Sequence, residues 1–526
     1  MTRWRTGAGI TAGLVGAVLV LAACTPPPAE PPPAGAVGPS VVPRPVELTA
    51  GEGAPFVLGT SATVSADPEL AGPAAALVEL LHEDTGVAVA TGGAAGPADA
   101  DVRLTVDPAV TGYDGYLLHV DDNGIDIAAA EPSGAFAAVQ TLRQLVPLGD
   151  PGAAREVPAV DVRDHARFAY RGAMLDVARH FFGVQDVERY VDDVALLKVN
   201  HLHLHLTDDQ GWRIAIGSWP RLTEVGAANA VDGDPGGFYT QDDYRAIVAH
   251  AAARGVTIVP EIDMPGHTNA ALASYGELNP DGRAVPAYSG IEVGFSTLDP
   301  ESETTYRFVE DVLDEVAALT PGPYLHIGGD ESRATSDEQY AAFVTRAAQI
   351  AAGTGKTVVG WHEIADAGPL PPGTVGQYWS YVRPETKGLA QRVRSFVDRG
   401  GRLIMSPADA TYLDMKYDAS TPHGLQWARG FTDLAEAYSW DPAQVVDGVG
   451  DDDLLGVEAP LWTETLRTVE DVESMAFPRL AAVAEIAWTP QQDRQLDDLK
   501  ARLVPLGERW DAAGVTYTKV PQVSWR

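Results

Sequence analysis

Two adjacent carboxylates follow an apolar run that ends in two glycines, in the segment YLHIGGDES at residues 324–332. Consecutive side chains at the end of a strand point in different directions, so Asp330 and Glu331 can address different parts of one bound molecule. Two acids in this position are suited to giving and taking a proton. The alternative interpretation is a solvated turn or a helix cap, and the rest of the chain distinguishes between the two.

Acidic and aromatic side chains also follow the other short apolar segments of the chain. A chance distribution would place polar residues at both ends of these segments, whereas here they recur at the carboxyl ends. We therefore expect them to form one site together with Asp330 and Glu331. The residues that follow these segments are Asp176, Asp208, His267, Trp361, Trp379, Tyr412, Asp414, Trp462 and Glu464.

Carboxylates beside tryptophans suggest a carbohydrate site. The apolar C–H faces of a sugar stack on indole rings, and its hydroxyls hydrogen-bond to carboxylates. Cleavage of a glycosidic bond needs a protonated carboxyl group that donates to the leaving oxygen. The usual acid and nucleophile flank the sugar from opposite faces, about 5–5.5 Å apart, which two neighbouring residues cannot easily do. The nucleophile is therefore expected from elsewhere in the chain or from the substrate.

Short apolar strands alternate with amphipathic helices from about residue 165, which predicts an α/β fold with a parallel sheet. Eight strands with helices between them indicate a (β/α)8 TIM barrel, whose active-site groups come from the carboxyl ends of the strands. Helices are predicted over residues 240–255, where Thr240 and Asp243 form a capping box, and over 305–320. The predicted strands are 172–177, 200–206, 256–263, 324–329, 356–362, 374–379, 402–407 and 454–460.

A separate small α+β domain is predicted over residues 42–164, and the catalytic barrel over residues 165–526. Alternating apolar and polar residues with a turn at 122–124 indicate a hairpin, and residues 133–146 have a helical period. Converging acids, histidines and tryptophans do not stand out in this part of the sequence. We expect this domain to support the barrel.

The overall composition fits a globular protein and restricts its partners. Of the 526 residues, 45% are hydrophobic and 21% are charged. The formal net charge of −36 disfavours binding to nucleic acid and to anionic lipid headgroups, whereas a neutral sugar is compatible with it. Cys24 is the one cysteine of the sequence, so no disulfide can form within the chain.

The amino-terminal segment has the pattern of a bacterial lipoprotein. Two arginines precede the apolar residues 10–23, which have the length of a signal-peptide core and are short for a membrane span. The sequence LAAC then resembles a lipobox, so residues 1–23 are predicted to be a lipoprotein signal peptide and Cys24 the lipidated residue. A plain secretory signal is the alternative. Residues 24–41 are proline-rich and predict an extended tether. We expect a secreted protein that is released or anchored to the outer face of the cytoplasmic membrane, touching the membrane through its lipid alone.

The segment HIGGDE at residues 326–331 resembles the acid-pair motif of glycoside hydrolase family 20, the β-N-acetylhexosaminidases. Further segments resemble other motifs of the same family in the same order, which makes the resemblance far more specific than one motif. It covers nearly the whole chain after the tether and looks like the secreted actinobacterial type. The segments are RGAMLDVARHFF, HLHLTDDQGWRIAI, VPEIDMPGHTNAALASY, VGWHE, QYW, TYLDMKY, GLQW and VEAPLWTETL.

The resemblance implies an exo-acting hydrolase that removes terminal N-acetylhexosamine from chitooligosaccharides, muropeptides or glycans, with no cofactor and no metal. Glu331 would act as general acid and then base. Asp330 would orient the 2-acetamido group, whose oxygen attacks the anomeric carbon and forms an oxazolinium intermediate. Tyr412 would hydrogen-bond that oxygen, and Asp208 and His267 would form a charge relay beside Glu331. The implied substrate-binding residues are Arg171, Trp361, Trp379, Asp414, Trp427, Trp462 and Glu464.

Two other functions are compatible with the same residues. The first is a retaining glycosidase of another specificity that uses Glu464 as a covalent nucleophile. The second is a lipoprotein that binds amino sugars without cleaving them. A substrate in which hydroxyl replaces the 2-acetamido group separates the first alternative from the substrate-assisted reaction, because only a protein nucleophile would still turn it over.

Three histidines alternate along one predicted strand. His201, His203 and His205 lie two residues apart, so their side chains face the same side of the strand. A metal site is one interpretation, since histidine is a common ligand. A polar layer in the barrel interior is the favoured one.

Overall fold

The computed structural model describes residues 39–51, 53–92, 100–384 and 388–526. The predicted signal peptide, Cys24 and most of the proline-rich tether lie outside these residues. Within the described ranges, no helix combines the length and the apolar character needed to cross a membrane.

The amino-terminal part of the described chain is built from short strands and two helices. Its strands are Glu47–Ala50 (β1), Phe56–Leu58 (β2), Thr63–Ala66 (β3), Ala90–Thr91 (β4), Val102–Val106 (β5), Tyr113–Asp121 (β6), Gly124–Ala129 (β7), Arg155–Val157 (β8) and Val160–Ala166 (β9). Its helices are Ala71–Thr85 (α1) and Pro132–Leu145 (α2). Strands β2 and β8 form a pair, and the others form one sheet in the order β1-β9-β6-β7-β5-β3-β4. The predicted hairpin is present as antiparallel β6 and β7, while β5 pairs with β7 in parallel.

A closed barrel of eight parallel strands follows in the described part of the chain. Each strand pairs with the next along the chain, and the first pairs with the last. Every predicted strand is present, so the (β/α)8 prediction is confirmed. The strands are Tyr170–Asp176 (β10), His201–His205 (β11), Thr257–Glu261 (β12), Tyr324–His326 (β13), Thr357–Trp361 (β14), Val375–Tyr378 (β15), Arg402–Met405 (β16) and Leu454–Ala459 (β17).

The helices of this part lie between successive strands or follow the last of them, except that β14 and β15 have only the short 3₁₀ helix His362–Asp366 between them. The predicted helix over 240–255 begins after Thr240, whose side chain accepts from the Asp243 amide in the expected capping box. The helices are Val184–Leu196 (α3), Arg221–Glu224 (α4), Gln241–Ala253 (α5), Asn269–Ser274 (α6), Glu303–Leu319 (α7), Asp337–Gly353 (α8), Leu389–Asp398 (α9), Ala408–Thr411 (α10), Leu434–Tyr438 (α11), Val469–Ala476 (α12), Arg479–Trp488 (α13) and Leu496–Ala513 (α14).

The interior of the barrel combines an apolar cluster with a polar layer. The polar layer lies toward the carboxyl ends of the strands and includes His203 and His205, both fully buried, which confirms the predicted polar layer for these two residues. His201 lies at the amino end of β11 and stacks on Tyr170, with 4.1 Å between the ring centroids. The apolar cluster consists of Tyr170, Val259, Val359, Val375, Ile404 and Leu455.

A buried ion pair joins the amino-terminal sheet to the barrel. Lys198, just before β11, places its Nζ 2.9 Å from Asp164 Oδ2 on β9, and both side chains are fully buried. Tyr116 donates to the same carboxylate at 2.7 Å, and the indole of Trp488 donates to it at 3.0 Å. The small domain therefore packs against the amino ends of the barrel strands, and β9 runs two residues past the predicted boundary.

Candidate active site

A cavity of about 580 Å³ lies at the carboxyl ends of the barrel strands. This volume is within the range of roughly 300–1,000 Å³ that is usual for sites of small ligands. Most of the predicted catalytic and substrate-binding residues line it, namely His267, Asp330, Glu331, Trp379, Tyr412, Trp427, Trp462 and Glu464. The structure therefore brings together side chains that follow five different strands.

The two glycines before Asp330 turn the acid pair into this cavity. The backbone leaves β13 with φ of 66° at Gly328 and 105° at Gly329, which favours glycine at both positions. A Cβ atom on Gly328 would stand 1.7 Å from Asp263 Oδ1, so no larger residue fits there. The Gly329 amide donates to the same oxygen at 3.0 Å. Glu331 itself has a positive φ of 45°, and the turn thus fixes both acids.

Burial raises the pKa of both acids of the pair. Burial, followed by the charge of Asp330, raises the pKa of Glu331, although His267 opposes this shift. Burial also raises the pKa of Asp330, and it raises the pKa of Asp263 well above its usual range with help from the Asp330 charge. Glu331 therefore keeps its proton to higher pH than a free glutamate, as a general acid must. Its side chain remains 20% exposed, so a substrate can reach it.

His267 and Asp208 stand behind the acid pair in the predicted order. The Nδ1 of His267 is 3.2 Å from Asp208 Oδ2, and its Nε2 is 3.6 Å from Asp330 and 3.8 Å from Glu331. Burial opposes both charges, but the Arg179 guanidinium and His267 hold the pKa of Asp208 well below its usual range. Asp208 and Asp330 in turn hold the pKa of His267 well above its usual range. A charged imidazole thus faces both acids.

Aromatic rings form the wall and the rim of the cavity. Trp361 is buried behind the lining, with its ring centroid 5.8 Å from that of Trp462. The ring centroid of Tyr412 is 6.2 Å from that of Trp462 and 5.6 Å from that of Trp427. Trp427 is 44% exposed at the rim and lies 6.2 Å from Trp379. This arrangement offers apolar faces on several sides of a ring-shaped ligand.

Several buried polar atoms in or beside the cavity lack hydrogen-bond partners. Both carboxylate oxygens of Asp414, Oε2 of Glu464 and Nε of Arg179 have no hydrogen-bond partner among the described residues. Burial and the neighbouring charge of Glu464 raise the pKa of Asp414 well above its usual range. Each buried polar group left unpaired costs about 1–3 kcal/mol. A ligand that carries several hydroxyl groups would satisfy such atoms.

Comparison with known families shows which family the chain belongs to. The catalytic-domain model of glycosyl hydrolase family 20 matches residues 168–491, and the domain 2 model of the same family matches residues 38–165. The chain belongs to glycosyl hydrolase family 20. The resemblance found in the sequence is thereby confirmed, and the protein is a glycoside hydrolase.

Individual family-20 relatives are similar over almost the whole chain. A β-N-acetylhexosaminidase of Cellulomonas fimi is 45% identical, over 92% of this chain and 97% of its own. A mutant Streptomyces plicatus β-hexosaminidase in complex with its product GlcNAc has a TM-score of 0.87 at 46% identity, covering 95% of this chain and 99% of that one. A family-20 exo-β-N-acetylglucosaminidase of Vibrio harveyi with bound N-acetylglucosamine has a TM-score of 0.80 at 30% identity, covering 92% of this chain and 80% of that one.

One predicted site residue of this family-20 chain lies elsewhere. Arg171 is the second residue of β10, so it sits at the amino end of the barrel, far from the cavity. Its guanidinium donates to the carbonyl oxygens of Lys198 and Phe168 and pairs with Asp114 of the small domain. The prediction that Arg171 lies in the sugar site is therefore wrong, and Arg179, beyond the end of the strand, lines the cavity instead.

Arg179 connects the acids on either side of the cavity. Its Nη2 is 2.9 Å from Asp208, its Nη1 is 3.3 Å from Asp176, and its guanidinium lies 4.7 Å from the Trp462 ring centroid. The charges of Glu464 and of both aspartates raise the pKa of Arg179 against the effect of burial. The guanidinium is thus held rigidly in place beside the unpaired oxygen of Glu464.

Other contributors to the family-20 site were not singled out from the sequence. Glu363 accepts from the Trp379 indole at 2.9 Å, and burial raises the pKa of Glu363 to about 7. It lies in the segment VGWHE, two residues after Trp361, so a signal was present. Ile291 and Val293 line the cavity from an irregular segment between α6 and α7, where no periodicity marks them.

Proposed function

We propose that the protein is an exo-acting β-N-acetylhexosaminidase that removes terminal non-reducing N-acetyl-D-hexosamine, GlcNAc or GalNAc, by a retaining, substrate-assisted reaction. The observation that carries this proposal is the placement of the acid pair. Asp330 and Glu331 both lie within 3.8 Å of the same nitrogen, His267 Nε2, so they share one side of the cavity. They cannot flank the anomeric carbon as acid and nucleophile, which the substrate's own amide can attack instead.

The reaction then divides between Glu331 and the substrate. Glu331 gives its proton to the glycosidic oxygen while the acetamido oxygen attacks the anomeric carbon, so the bond to the leaving group breaks and an oxazolinium forms. The Asp330 carboxylate accepts a hydrogen bond from the amide N–H and stabilises its growing positive charge. The Glu331 carboxylate next takes a proton from a water molecule. The oxygen of that water adds to the anomeric carbon and opens the oxazolinium ring. Two inversions give overall retention.

The remaining side chains bind and orient the sugar. Tyr412 donates to the acetamido oxygen, and burial raises the pKa of this tyrosine well above its usual range, so its hydroxyl keeps the proton it donates. The tryptophans enclose the acetamido group and stack on the ring. The hydroxyls of the sugar satisfy the unpaired atoms of Arg179, Asp414 and Glu464.

The test is release of 4-nitrophenol from its N-acetyl-β-D-glucosaminide. We expect Glu331→Gln to lose activity by at least 10²-fold, since general acid catalysis is worth about 10²–10⁴-fold. A substrate with hydroxyl in place of the acetamido group should not turn over, and a thiazoline that mimics the intermediate should inhibit. Full activity of the variant contradicts the proposal. Turnover of the hydroxyl substrate that depends on Glu464 favours the covalent alternative, and saturable binding without product favours the sugar-binding lipoprotein.

We also propose that the protein acts outside the cytoplasmic membrane on chitooligosaccharides, held there by a lipid on Cys24. The lipobox-like LAAC sequence and the proline-rich residues 24–41 support the anchor. The neutral charge of a chitooligosaccharide agrees with the net charge of −36. Cys24→Ser should move the protein from the detergent phase to the aqueous phase on phase separation, and an unmodified protein found in the aqueous phase contradicts the anchor. Products formed from chitobiose and from muropeptides, compared side by side, test the substrate.

A further inference from the structure

Carboxylates and imidazoles alternate along a buried path inside the barrel. The path begins at Glu458 on β17, which accepts from the Tyr170 hydroxyl at 2.5 Å. The Nδ1 of His203 is 2.9 Å from Glu458 Oε1, and its Nε2 is 3.0 Å from Oε2 of Glu261 on the next strand. All of these side chains are buried. The first half of the path thus crosses the polar layer of the barrel.

The second half of the path reaches the catalytic acids. His205 places its Nδ1 2.5 Å from the same Glu261 oxygen and its Nε2 3.0 Å from Asp208 Oδ2. Asp208 contacts His267, whose free Nε2 faces Asp330 and Glu331. The two rings on β11 therefore continue the Asp208–His267 pair into the interior of the barrel.

The geometry fixes the charge of the two rings on β11. Each nitrogen of His203 and of His205 faces a carboxylate oxygen, and a carboxylate only accepts hydrogen bonds. Both nitrogens must then carry hydrogen, so both rings are imidazolium ions. Burial lowers the pKa of His203, but Glu458 and Glu261 outweigh it and raise the pKa to about 9. The path is thus a row of fixed and alternating charges.

We propose that His205 and Glu261 are positioning residues that keep His267 in its imidazolium form facing the acid pair. The cation of His205, held by Glu261, acts together with Arg179 to keep the buried Asp208 ionised, and the Asp208 carboxylate keeps the proton on His267 Nδ1. The imidazolium then stabilises the Glu331 carboxylate that remains after the proton has gone to the leaving group. This inference rests on the proposed function for its kinetic consequence, but the charge of the rings stands apart from it.

Other charged or titratable groups face the same atoms and remain in place when His205 alone is changed. Those that face the buried path are Arg179, Asp176, Asp209, Asp263, His326 and Tyr170. Those that face the acid pair are Arg179, Asp263, Glu363, Tyr340 and Tyr412 from other elements and Arg333 from the same segment. A change confined to His205 therefore reports on the path itself.

His326 provides a matched control on the same carboxylate. Its Nδ1 is 3.1 Å from Glu261 Oε1, but this nitrogen also accepts from the Gly328 amide. Burial lowers the pKa of His326, so this ring is neutral where His205 is charged. His205→Gln removes a cation and His326→Gln removes none, although both replace a fully buried histidine that contacts Glu261.

The experiment is the pH dependence of kcat/KM for the nitrophenyl substrate. In His205→Gln, the positive charge on His267 beside the two acids should be weakened. Both limbs of the pH profile should then move to higher pH by about one unit, because a nearby cation lowers carboxyl pKa values by about that much or more. In His326→Gln the two limbs of the pH profile should stay at the same pH, even if the maximal kcat/KM changes. Unmoved limbs in His205→Gln, or equal movement in both variants, would overturn the proposal.

Ring nitrogen chemical shifts test the charges in the unmodified protein, even if His205→Gln does not fold. We expect His203, His205 and His267 to show imidazolium shifts at pH 7, and the pKa of His267 to be lower in His205→Gln than in the unmodified protein. Neutral rings in the unmodified protein, or a His267 pKa that is unchanged in the variant, contradict the inference. If the unmodified protein releases no nitrophenol, the proposed function is contradicted. The spectra would still test whether the histidine rings of the buried path are charged.

Discussion

Replacement of Arg179 by lysine tests which arginine of the segment RGAMLDVARHFF serves the cavity. Lysine keeps the charge but cannot reproduce the planar fork of the guanidinium. The fork contacts Asp208 at 2.9 Å and Asp176 at 3.3 Å, and it lies 4.7 Å from the ring centroid of Trp462. One ammonium group cannot keep both carboxylate contacts, its contact with the indole and a contact with the sugar.

The size of the effect follows from the hydrogen bond to the sugar that lysine cannot make. A hydrogen bond to a charged group contributes about 1.5–3 kcal/mol. Removal of one such bond from the bound state corresponds to a fall in kcat/KM of about 10- to 150-fold, at 1.36 kcal/mol for each factor of ten. The buried charge itself is kept, so we expect the Arg179→Lys protein to fold.

Arg171→Lys is the matched control, because it makes the same change in the same segment at the other end of the barrel. Arg171 contacts main-chain oxygens and Asp114, so its variant should lower the melting temperature and leave kcat/KM within about threefold. Both proteins are assayed with the nitrophenyl substrate and by thermal unfolding. A large loss of kcat/KM in Arg171→Lys, with little change in Arg179→Lys, would restore Arg171 as the sugar-binding arginine and refute this reasoning.

Three further changes have separate expected outcomes. Trp427→Ala should raise KM about 2- to 10-fold with little loss of stability, since an aromatic contact is worth about 0.5–1.5 kcal/mol and this ring is 44% exposed; an unchanged KM would contradict its role as a platform. Gly328→Ala should lower both the melting temperature and kcat, because its φ is 66° and its new Cβ would clash with Asp263; normal kcat would show that the turn does not fix the acids. Burial raises the folded-state pKa of Glu363 to about 7, whereas the pKa in the unfolded chain is about 4.3. Between these two values the unfolded chain loses the proton and the folded protein keeps it, so the free energy of unfolding falls as the pH rises. Glu363→Gln should therefore lose less melting temperature between pH 5 and 8 than the unmodified protein, and an equal loss would contradict the shift.

The barrel was predictable because its strands carry their signal locally. Parallel strands are buried on both faces and read as short apolar runs, and each of the eight runs forms a strand. Since all carboxyl ends meet at one mouth, the residues that follow the runs converge, as Asp330, Tyr412 and Trp462 do. The direction of a strand thus carries more information about the site than the type of any single residue.

The error over Arg171 has the same physical basis. The predicted strand 172–177 already placed Arg171 before the strand and Arg179 after it, on opposite ends of the barrel. The two residues are of the same type, and the motif match favoured the wrong arginine, whereas the strand direction favoured the right one. An assignment of site residues from a motif gains from a check of which end of its strand each residue occupies.

Other features depend on contacts between distant segments, which no local pattern encodes. The spacing of His203 and His205 shows that they share a face, but the carboxylates that make them cations come from β12 and β17. The raised pKa of Glu363 depends on its burial beside Trp379. Ile291 and Val293 reach the cavity from an irregular segment whose path the sequence does not indicate.

Asp164 has a consequence for how the two halves of the described chain can be separated. A fragment that begins at residue 165 would keep Lys198 and Trp488 but lose the carboxylate to which both donate. The Trp488 ring would also lose the apolar core of the small domain in which it is buried, and exposure of one such large side chain costs about 1.5–3 kcal/mol, a large part of what keeps a typical domain folded. The catalytic half should therefore be much less stable alone, and the two halves should unfold together in one transition.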